Sequence, residues 1–167
     1  NKKFNKDQRG YFFEFYKKNE FSNLKINFNF VQDNISYSIK KGTIRGLHLQ
    51  ESPCMQAKLI QVLKGSIQDV IVDIRKNSMT FGKHMSIILK ENDEKQIFIP
   101  EGFAHGFLTL EDDTLVIYKT TNFYNKDKEV TIKWNDNKLG IKWLIDNKDI
   151  LLSPKDSNGI LLEDYLK

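Results

Sequence analysis

Residues 58–75 read Lys58-Leu59-Ile60-Gln61-Val62-Leu63-Lys64-Gly65-Ser66-Ile67-Gln68-Asp69-Val70-Ile71-Val72-Asp73-Ile74-Arg75. This stretch holds two runs rich in valine and isoleucine, and Lys64-Gly65 separates them. Branched side chains favour extended strands, and a glycine between two such runs favours a reversal of the chain. The stretch therefore predicts two successive strands joined as a β-hairpin.

The same pattern of strand, turn and strand continues along the chain. Two more pairs of strands are predicted, each joined by an acidic turn: 84–90 with 96–99, and 107–110 with 114–118. Strands at short, regular spacing are typical of a β-sandwich or β-barrel, so the sequence predicts an all-β fold built from hairpins. Helical periodicity is confined to 15–21 and 160–166, which predicts short peripheral helices.

Length and composition predict one globular domain that spans residues 1–167. Hydrophobic residues make up 40% of the 167, which is ordinary for a folded protein and sufficient for one core. No apolar run approaches the ~20 residues that cross a bilayer, so no membrane association is expected. The single cysteine and the polar, basic first residues predict a reducing compartment, the cytoplasm.

The net charge of +4 is spread along the chain. Lysines are scattered along the chain and mixed with acidic residues, and neither a dense basic run nor a DNA-recognition motif is present. We therefore expect no nucleic-acid partner. A small anionic substrate, such as a nucleotide, fits this charge better.

Two histidine motifs resemble the paired motifs of cupin barrels. They are Arg45-Gly46-Leu47-His48-Leu49-Gln50 and Pro100-Glu101-Gly102-Phe103-Ala104-His105. Metal-binding cupins carry His-x-His and a later Glu in the first motif, whereas this chain has His48 followed by Leu49 and Gln50. The resemblance implies a cupin-type jelly-roll β-barrel without metal or other cofactor, in which His48 is a general base.

The chain as a whole resembles the dTDP-4-dehydrorhamnose 3,5-epimerase family. Matching segments extend from Asp7 to Asp156 in the family's order. They are 7–14, 30–34, 42–48, 56–59, 72–75, 80–82, 99–106, 118–121 and 153–156. The resemblance implies an isomerase that converts dTDP-4-dehydro-6-deoxy-D-glucose to dTDP-4-dehydro-L-rhamnose, in L-rhamnose and cell-surface polysaccharide biosynthesis.

Such a reaction needs a base on one face of the sugar, an acid on the other, and a cation near the enolate oxygen. The resemblance implies His48 as the base, Tyr118 as the acid and Lys58 as the cation. It also implies Asp156 as the carboxylate that orients His48, although Asp73 is a second candidate by sequence alone. His105 is expected to donate a hydrogen bond to the sugar.

Each of these residues also has an ordinary structural interpretation. His48 and Tyr118 could be core residues with satisfied hydrogen bonds, Lys58 a solvated charge at a strand edge, and His105 part of a turn. Only their occurrence together within the family's motifs favours the catalytic interpretation.

The resemblance also implies the contacts to the nucleotide and sugar. Arg9 and Arg45 are expected to bind the diphosphate, because a guanidinium group binds phosphate through two hydrogen bonds. The third arginine, Arg75, is expected to form a structural ion pair. The remaining expected contacts are Phe12, Glu14, Gln32, Asp33, Asn34, Tyr124, Glu129 and Lys155. Some of them are expected to come from the second subunit of a homodimer.

Three other functions remain open on the sequence. A relative with the same barrel could invert only one carbon or act on another nucleotide-linked 4-ketosugar. A cupin could bind sugar nucleotides without catalysis, although an acid and a base on opposite faces argue against it. A metal-dependent cupin oxygenase or isomerase is the third.

Overall fold

The computed structural model describes residues 3–23 and 28–167. The strands are β1 (Asn5–Asp7), β2 (Gly10–Phe12), β3 (Gln32–Ser38), β4 (Ile44–Gln50), β5 (Lys58–Lys64), β6 (Ser66–Asp73), β7 (His84–Lys90), β8 (Ile97–Ile99), β9 (Phe103–Thr109), β10 (Thr114–Thr120) and β11 (Glu129–Thr131). The helices are α1 (Lys18–Asn23), α2 (Pro154–Ser157) and α3 (Leu162–Tyr165), with two 3-10 turns at Lys126–Lys128 and Asn147–Asp149.

Two antiparallel sheets face each other and form a jelly-roll barrel. One sheet has four strands in the order β3-β10-β5-β8, and the other has five in the order β11-β4-β9-β6-β7. A separate hairpin, β1–β2, stands near the N-terminus. The predicted all-β fold with short helices is confirmed. The two predicted helices are shorter than their periodic segments and lie at 18–23 and 162–165.

The predicted hairpins are wrong, because the chain changes sheet at each of those turns. Strand β5 pairs with β10 and β8, whereas β6 pairs with β7 and β9. Likewise β7 and β9 lie in the five-stranded sheet, and β8 and β10 lie in the other. A turn signal shows that the chain reverses but does not show which sheet the next strand joins. In a jelly roll most of these reversals cross the sandwich.

Strand β6 shows how the two faces of a sheet are used. Ile67 and Ile71 face the space between the sheets, in an inner cluster with Ile60, Val62, Leu89, Ile97, Ile99, Phe107 and Val116. Val70 and Val72 face the other way, in an outer cluster with Leu47, Leu49, Ile74, Ala104, Ile132, Leu139 and Leu162. Both faces are covered, so every residue of β6 is buried.

Strands β4 and β9 approach unusually closely where they carry their histidines. A Cβ built on Gly46, whose φ is +126°, would lie 2.5 Å from the Cα of Gly106. A Cβ on Gly106 would lie 2.8 Å from the oxygen of Arg45. The register shifts between Arg45 and His48, after which His48 lies opposite His105. This irregularity lets Arg45 and His48 both face the same cavity.

The helices of the described residues are short. None is long and apolar enough to cross a membrane.

Candidate active site

A cavity of about 740 Å³ opens between the two sheets. Side chains from strands of both sheets, and from α2, line it. The residues predicted from the sequence that lie there are Gln32, Asn34, Arg45, His48, Lys58, His105, Tyr118, Tyr124, Glu129, Lys155 and Asp156. Arg9, Phe12, Glu14 and Asp33 do not line it.

His48 forms a close pair with Asp156. Its Nε2 lies 2.6 Å from Oδ1 of Asp156, which is 3% exposed at the start of α2. The same oxygen accepts a hydrogen bond from the backbone N–H of Gly46 at 3.2 Å. Asp156 therefore contacts both the imidazole and the strand that carries it, which fixes the orientation of the ring.

Several donors keep Asp156 ionised. Burial alone would raise the pKa of this carboxyl, but hydrogen bonds from His48, Ser153 and Gly46 outweigh burial and lower it. The hydroxyl of Ser153 donates to Oδ2 at 2.7 Å and accepts from the Asp156 N–H at 3.1 Å. Because the ionised carboxylate only accepts hydrogen bonds, Nε2 of a neutral His48 carries the ring proton and Nδ1 has a free lone pair.

Asp73, the other candidate partner of His48, has a different role. Its carboxylate accepts hydrogen bonds from Arg75, Ser78 and Thr80, and it does not line the cavity. The expected structural ion pair of Arg75 is present at 2.7 Å. Of the two candidate carboxylates, Asp156 is therefore the one that contacts His48.

Lys58 lies at the start of β5 and is only 8% exposed. Its Nζ donates to the backbone oxygen of His48 at 3.3 Å. Burial lowers the pKa of Lys58 to about 8, and the charges of Asp69 and Glu129 oppose that effect. Near neutral pH the Lys58 amine is therefore mostly in its charged ammonium form, and an anion in the cavity can approach it.

Tyr118 enters the cavity from the opposite sheet to His48. It lies on β10, between Asn34 of β3 and Ile60 of β5, on the same face as Val116 and Thr120. Burial raises the pKa of the Tyr118 phenol, and the charge of Arg45 partly offsets this. The phenol therefore keeps its proton at neutral pH and can donate it.

His105 lines the cavity from β9 and pairs with a carboxylate that the sequence analysis did not single out. Its Nε2 lies 2.8 Å from Oδ2 of Asp69, whose side chain has 0% exposure. Burial lowers the pKa of His105, while the charge of Asp69 opposes that shift. The sequence did contain a signal for Asp69, since an acidic residue stands at an inward position of the isoleucine- and valine-rich strand β6.

Strand β3 supplies polar side chains to the cavity. The guanidinium group of Arg45 donates to the hydroxyl of Ser38 at 3.1 Å and to the backbone oxygen of Tyr37 at 2.8 Å, which ties it to β3. Gln32 donates to Oδ1 of Asn34 at 2.7 Å. The amide nitrogen of Asn34 and the hydroxyl of Ser36 are buried without a partner among the described residues, so each can bind a ligand.

Tyr124, Glu129 and Lys155 form one hydrogen-bonded group in the cavity wall. Glu129 accepts from Lys155 Nζ at 2.9 Å and from the Tyr124 hydroxyl at 3.1 Å. Burial opposes ionisation of Glu129, but Lys155 outweighs it and lowers the pKa. This group places both signs of charge beside an aromatic ring.

Four predicted contacts lie away from the cavity of their own chain. Arg9 is exposed and pairs with Asp7 at 2.6 Å, and Phe12 is 67% exposed on β2. Glu14 accepts a hydrogen bond from Lys17 at 3.1 Å. Asp33 faces outward on β3 and accepts from Lys119 at 2.6 Å. Their predicted contacts with substrate stay predictions.

The two residues that follow His48 have structural partners. Leu49 packs in the outer cluster, and the Gln50 side-chain oxygen accepts from the N–H of Asn125 at 2.8 Å. Across residues 3–23 and 28–167, no three His, Cys, Asp or Glu side chains group as metal ligands would.

Known proteins are similar to this chain in sequence and in structure. A family model described as dTDP-4-dehydrorhamnose 3,5-epimerase matches residues 1–164. The enzyme of that name from Shigella flexneri is 46% identical over 154 residues, which cover 92% of this chain and 83% of that protein.

Solved structures agree. The dTDP-4-dehydrorhamnose 3,5-epimerase of Bacillus anthracis, with TDP and PPi bound, is 45% identical with a TM-score of 0.92, covering 96% of this chain and 90% of that one. The dTDP-6-deoxy-D-glucose-3,5-epimerase of Legionella pneumophila, in complex with dTDP-4-keto-L-rhamnose, is 42% identical with a TM-score of 0.92. That match covers 97% of this chain and 85% of the Legionella chain.

Proposed function

This chain belongs to the dTDP-4-dehydrorhamnose 3,5-epimerase family, and from that premise we propose that His48 and Tyr118 carry out its reaction from opposite sides of one cavity. It is an isomerase that epimerises dTDP-4-dehydro-6-deoxy-D-glucose at carbons 3 and 5 to dTDP-4-dehydro-L-rhamnose. The observation that carries the assignment of roles is the position of His48 and Tyr118 on facing sheets, with Lys58 beside the His48 strand.

His48 is the base. The ketone at carbon 4 acidifies the neighbouring C–H bonds, and Nδ1 of His48 accepts the proton when one of them breaks. The bonding electrons move to the ketone oxygen and form an enolate. Asp156 stabilises the resulting imidazolium through its 2.6 Å contact with Nε2.

Lys58 stabilises the enolate oxygen. A protonated amine in a site of low polarity interacts strongly with a developing negative charge, and removal of one such donor typically costs about 10²–10³-fold in rate. The bond of Lys58 to the His48 backbone supports this role, because it holds the ammonium group close to the base.

Tyr118 is the acid. Its phenol gives a proton to the enolate carbon on the face opposite His48, which inverts that carbon. The raised pKa of the phenol supports this role, since it keeps the proton available. After one inversion His48 holds an extra proton and Tyr118 lacks one, so exchange with water must restore both before the second carbon reacts.

Arg45 binds the diphosphate, Lys155 contacts the substrate, and Gln32 and Asn34 bind the nucleotide or sugar. The unpartnered amide nitrogen of Asn34 supports that assignment, because a buried donor without a partner is unfavourable until a ligand accepts from it. Tyr124 and Glu129 line the sugar or base site, and His105 contacts the sugar.

The functional unit is a homodimer of single-domain chains, each spanning residues 1–167, in the cytoplasm. Arg9, Phe12, Glu14 and Asp33 lie outside the cavity of their own chain, and the β1–β2 hairpin presents Arg9 and Phe12 to solvent. A second copy that receives this hairpin completes the diphosphate and base contacts. Analytical ultracentrifugation tests this, because sedimentation as a monomer of 19.6 kDa contradicts it.

Incubation with dTDP-4-keto-6-deoxyglucose in deuterated water tests the reaction. We expect NMR to show deuterium at both carbons 3 and 5, together with formation of the L-rhamno product. Deuterium at one carbon only would instead indicate a single-carbon epimerase. Absence of exchange at both carbons would contradict the proposed function.

A further inference from the structure

Asp69 is a buried carboxylate with one hydrogen-bonding partner among the described residues. It lies on β6 between Ile67 and Ile71, both in the inner cluster, and its side chain has no exposure to solvent. Oδ2 lies 2.8 Å from Nε2 of His105, while Oδ1 has no partner in residues 3–23 and 28–167. A buried carboxylate among apolar side chains destabilises a fold unless another group pairs with its charge and donates a hydrogen bond to it.

The pairing determines which nitrogen of His105 carries a proton. Burial lowers the pKa of His105, so the ring is neutral and only one nitrogen is protonated. A carboxylate oxygen accepts hydrogen bonds, so a proton on Nε2 completes the 2.8 Å contact between His105 and Asp69. Nδ1 is then the unprotonated nitrogen.

We propose that Asp69 is a positioning residue that holds His105 with its proton on Nε2, so that Nδ1 accepts a hydrogen bond from a hydroxyl of the bound sugar. The charge of Asp69 also opposes the lowering of the Lys58 pKa by burial. The role of His105 rests on the proposed function for the identity of the ligand. It replaces the donor role that the sequence predicts for His105. An acceptor at this position selects a hydroxyl group, whereas the ketone oxygen is left to Lys58.

The charges around these two groups come from several elements. Lys58 faces Asp69 of β6 and Glu129 of β11, which favour its protonated form, and Lys155 of α2, which opposes it. His105 faces Asp69, Lys58 and the neighbouring His48 of β4. Asp69 provides the strongest of the charges that oppose burial at both Lys58 and His105, so its removal should act on both groups.

The tautomer can be measured without substrate. The chain has three histidines, so ¹⁵N-histidine labelling gives a simple spectrum, and His48→Gln and His84→Gln assign it. We expect His105 in the wild-type full chain to be the neutral Nε2–H form between about pH 6.5 and pH 9. An Nδ1–H form, or an imidazolium in that range, would overturn the proposal, whatever the epimerase assay shows.

The effect on Lys58 is tested by Asp69→Asn, with Asp73→Asn as the matched control. Both carboxylates are buried on β6, but Asp69 contacts His105, which lines the cavity, whereas Asp73 contacts Arg75, which does not. Loss of the Asp69 charge should move the basic limb of the kcat–pH profile to lower pH, with kcat falling about tenfold at about pH 9 and less at about pH 6.5.

Asp73→Asn should leave the basic limb in place. A limb unchanged in Asp69→Asn, or displaced equally in both variants, would contradict the role of Asp69 toward Lys58. If Asp69→Asn does not fold, the wild-type tautomer decides the proposal by itself. Failure of the proposed function is seen separately, as absence of deuterium exchange in the wild-type enzyme.

Discussion

Lys58 and His48 are joined across the sandwich by a hydrogen bond from the lysine Nζ to the histidine backbone oxygen, at 3.3 Å. Lys58 belongs to the four-stranded sheet and His48 to the five-stranded sheet. The bond therefore spans the space between the two sheets, beside the groups that we propose as the cation and the base. Chemistry that needs both groups depends on the packing of the whole barrel as well as on either strand.

Replacement of His48 by alanine should abolish epimerisation and solvent exchange at both carbons. General-base catalysis typically contributes ~10²–10⁴-fold, and the loss should be of at least that order. Deuterium incorporation followed by NMR measures it. His84→Ala is the control, because His84 is exposed on β7 and does not line the cavity. Exchange at the wild-type rate in His48→Ala would remove His48 from the mechanism.

Tyr118→Phe should separate exchange from inversion. The base remains, so the enolate still forms, but the proton donor on the far face is missing. Hydrogen exchange should therefore survive better than product formation, and both can be followed in one deuterated sample. Tyr165→Phe, a half-buried tyrosine packed against the outer cluster, should change neither. Small and equal effects of Tyr118→Phe on both rates would mean that Tyr118 only packs.

Arg9→Lys and Arg45→Lys should each weaken dTDP binding by about ten- to a hundredfold. Lysine keeps the charge but loses the forked contact to phosphate, and charge-assisted hydrogen bonds contribute ~1.5–3 kcal/mol. Isothermal titration calorimetry measures the affinity. Arg75→Lys is the control, since Arg75 pairs with Asp73 away from the cavity. Unchanged affinity in both variants would place the diphosphate site elsewhere.

Activity should fall as pH rises through about 8, the pKa to which burial lowers Lys58. Below that pH the ammonium group is charged and stabilises the enolate, and above it the neutral amine does not. A kcat–pH profile measures the effect. Lys58→Gln should be slower by about 10²–10³-fold and should lack this basic limb. A limb that persists in Lys58→Gln belongs to another group.

Asp73→Asn should destabilise the fold by about 1–3 kcal/mol without loss of the site, because it weakens the hydrogen bonds that the buried Asp73 carboxylate accepts from Arg75, Ser78 and Thr80. Hydrogen bonds from Arg75 lower the pKa of Asp73 well below its usual 3.8. The contribution of the ionised Asp73 to the free energy of unfolding is therefore complete above about pH 3.8, and it is lost progressively as the pH falls below that value toward the lowered pKa. Urea denaturation at neutral and acidic pH should show a difference between wild type and variant that shrinks in acid.

The positions of the strands could be predicted from the sequence, but their partners could not. Runs of valine and isoleucine located β5 and β6 within a residue or two. The sheet that a strand joins depends on which distant strand forms backbone hydrogen bonds with its edge. Strand β5 pairs with β10, whereas β6 pairs with β9. That information is not local, and a glycine turn such as Gly65 serves a hairpin and a sheet crossing equally well.

The sequence could predict a shared cavity for residues that lie in a family motif. His48, Tyr118, Lys58 and Asp156 lie on three separate strands and a helix, yet all line one cavity. The sequence analysis did not identify Asp69, because we propose no contact of Asp69 with the substrate and it acts through its contact with His105. Arg9 and Phe12 match the family's motifs but lie outside the cavity of their own chain. The sequence could not predict this, because it does not separate contacts within a subunit from contacts between subunits.

The close approach of Gly46 to Gly106 limits how this protein can vary. Neither glycine has a side chain to offer a substrate, yet any other residue at either position would collide with the backbone opposite. In a deep mutational scan both positions should tolerate as little change as the histidines beside them. Loss of function on substitution of either glycine would result from the short distance between the two strands and not from a role in the reaction. The set of positions that do not tolerate substitution would therefore be larger than the set that takes part in the reaction.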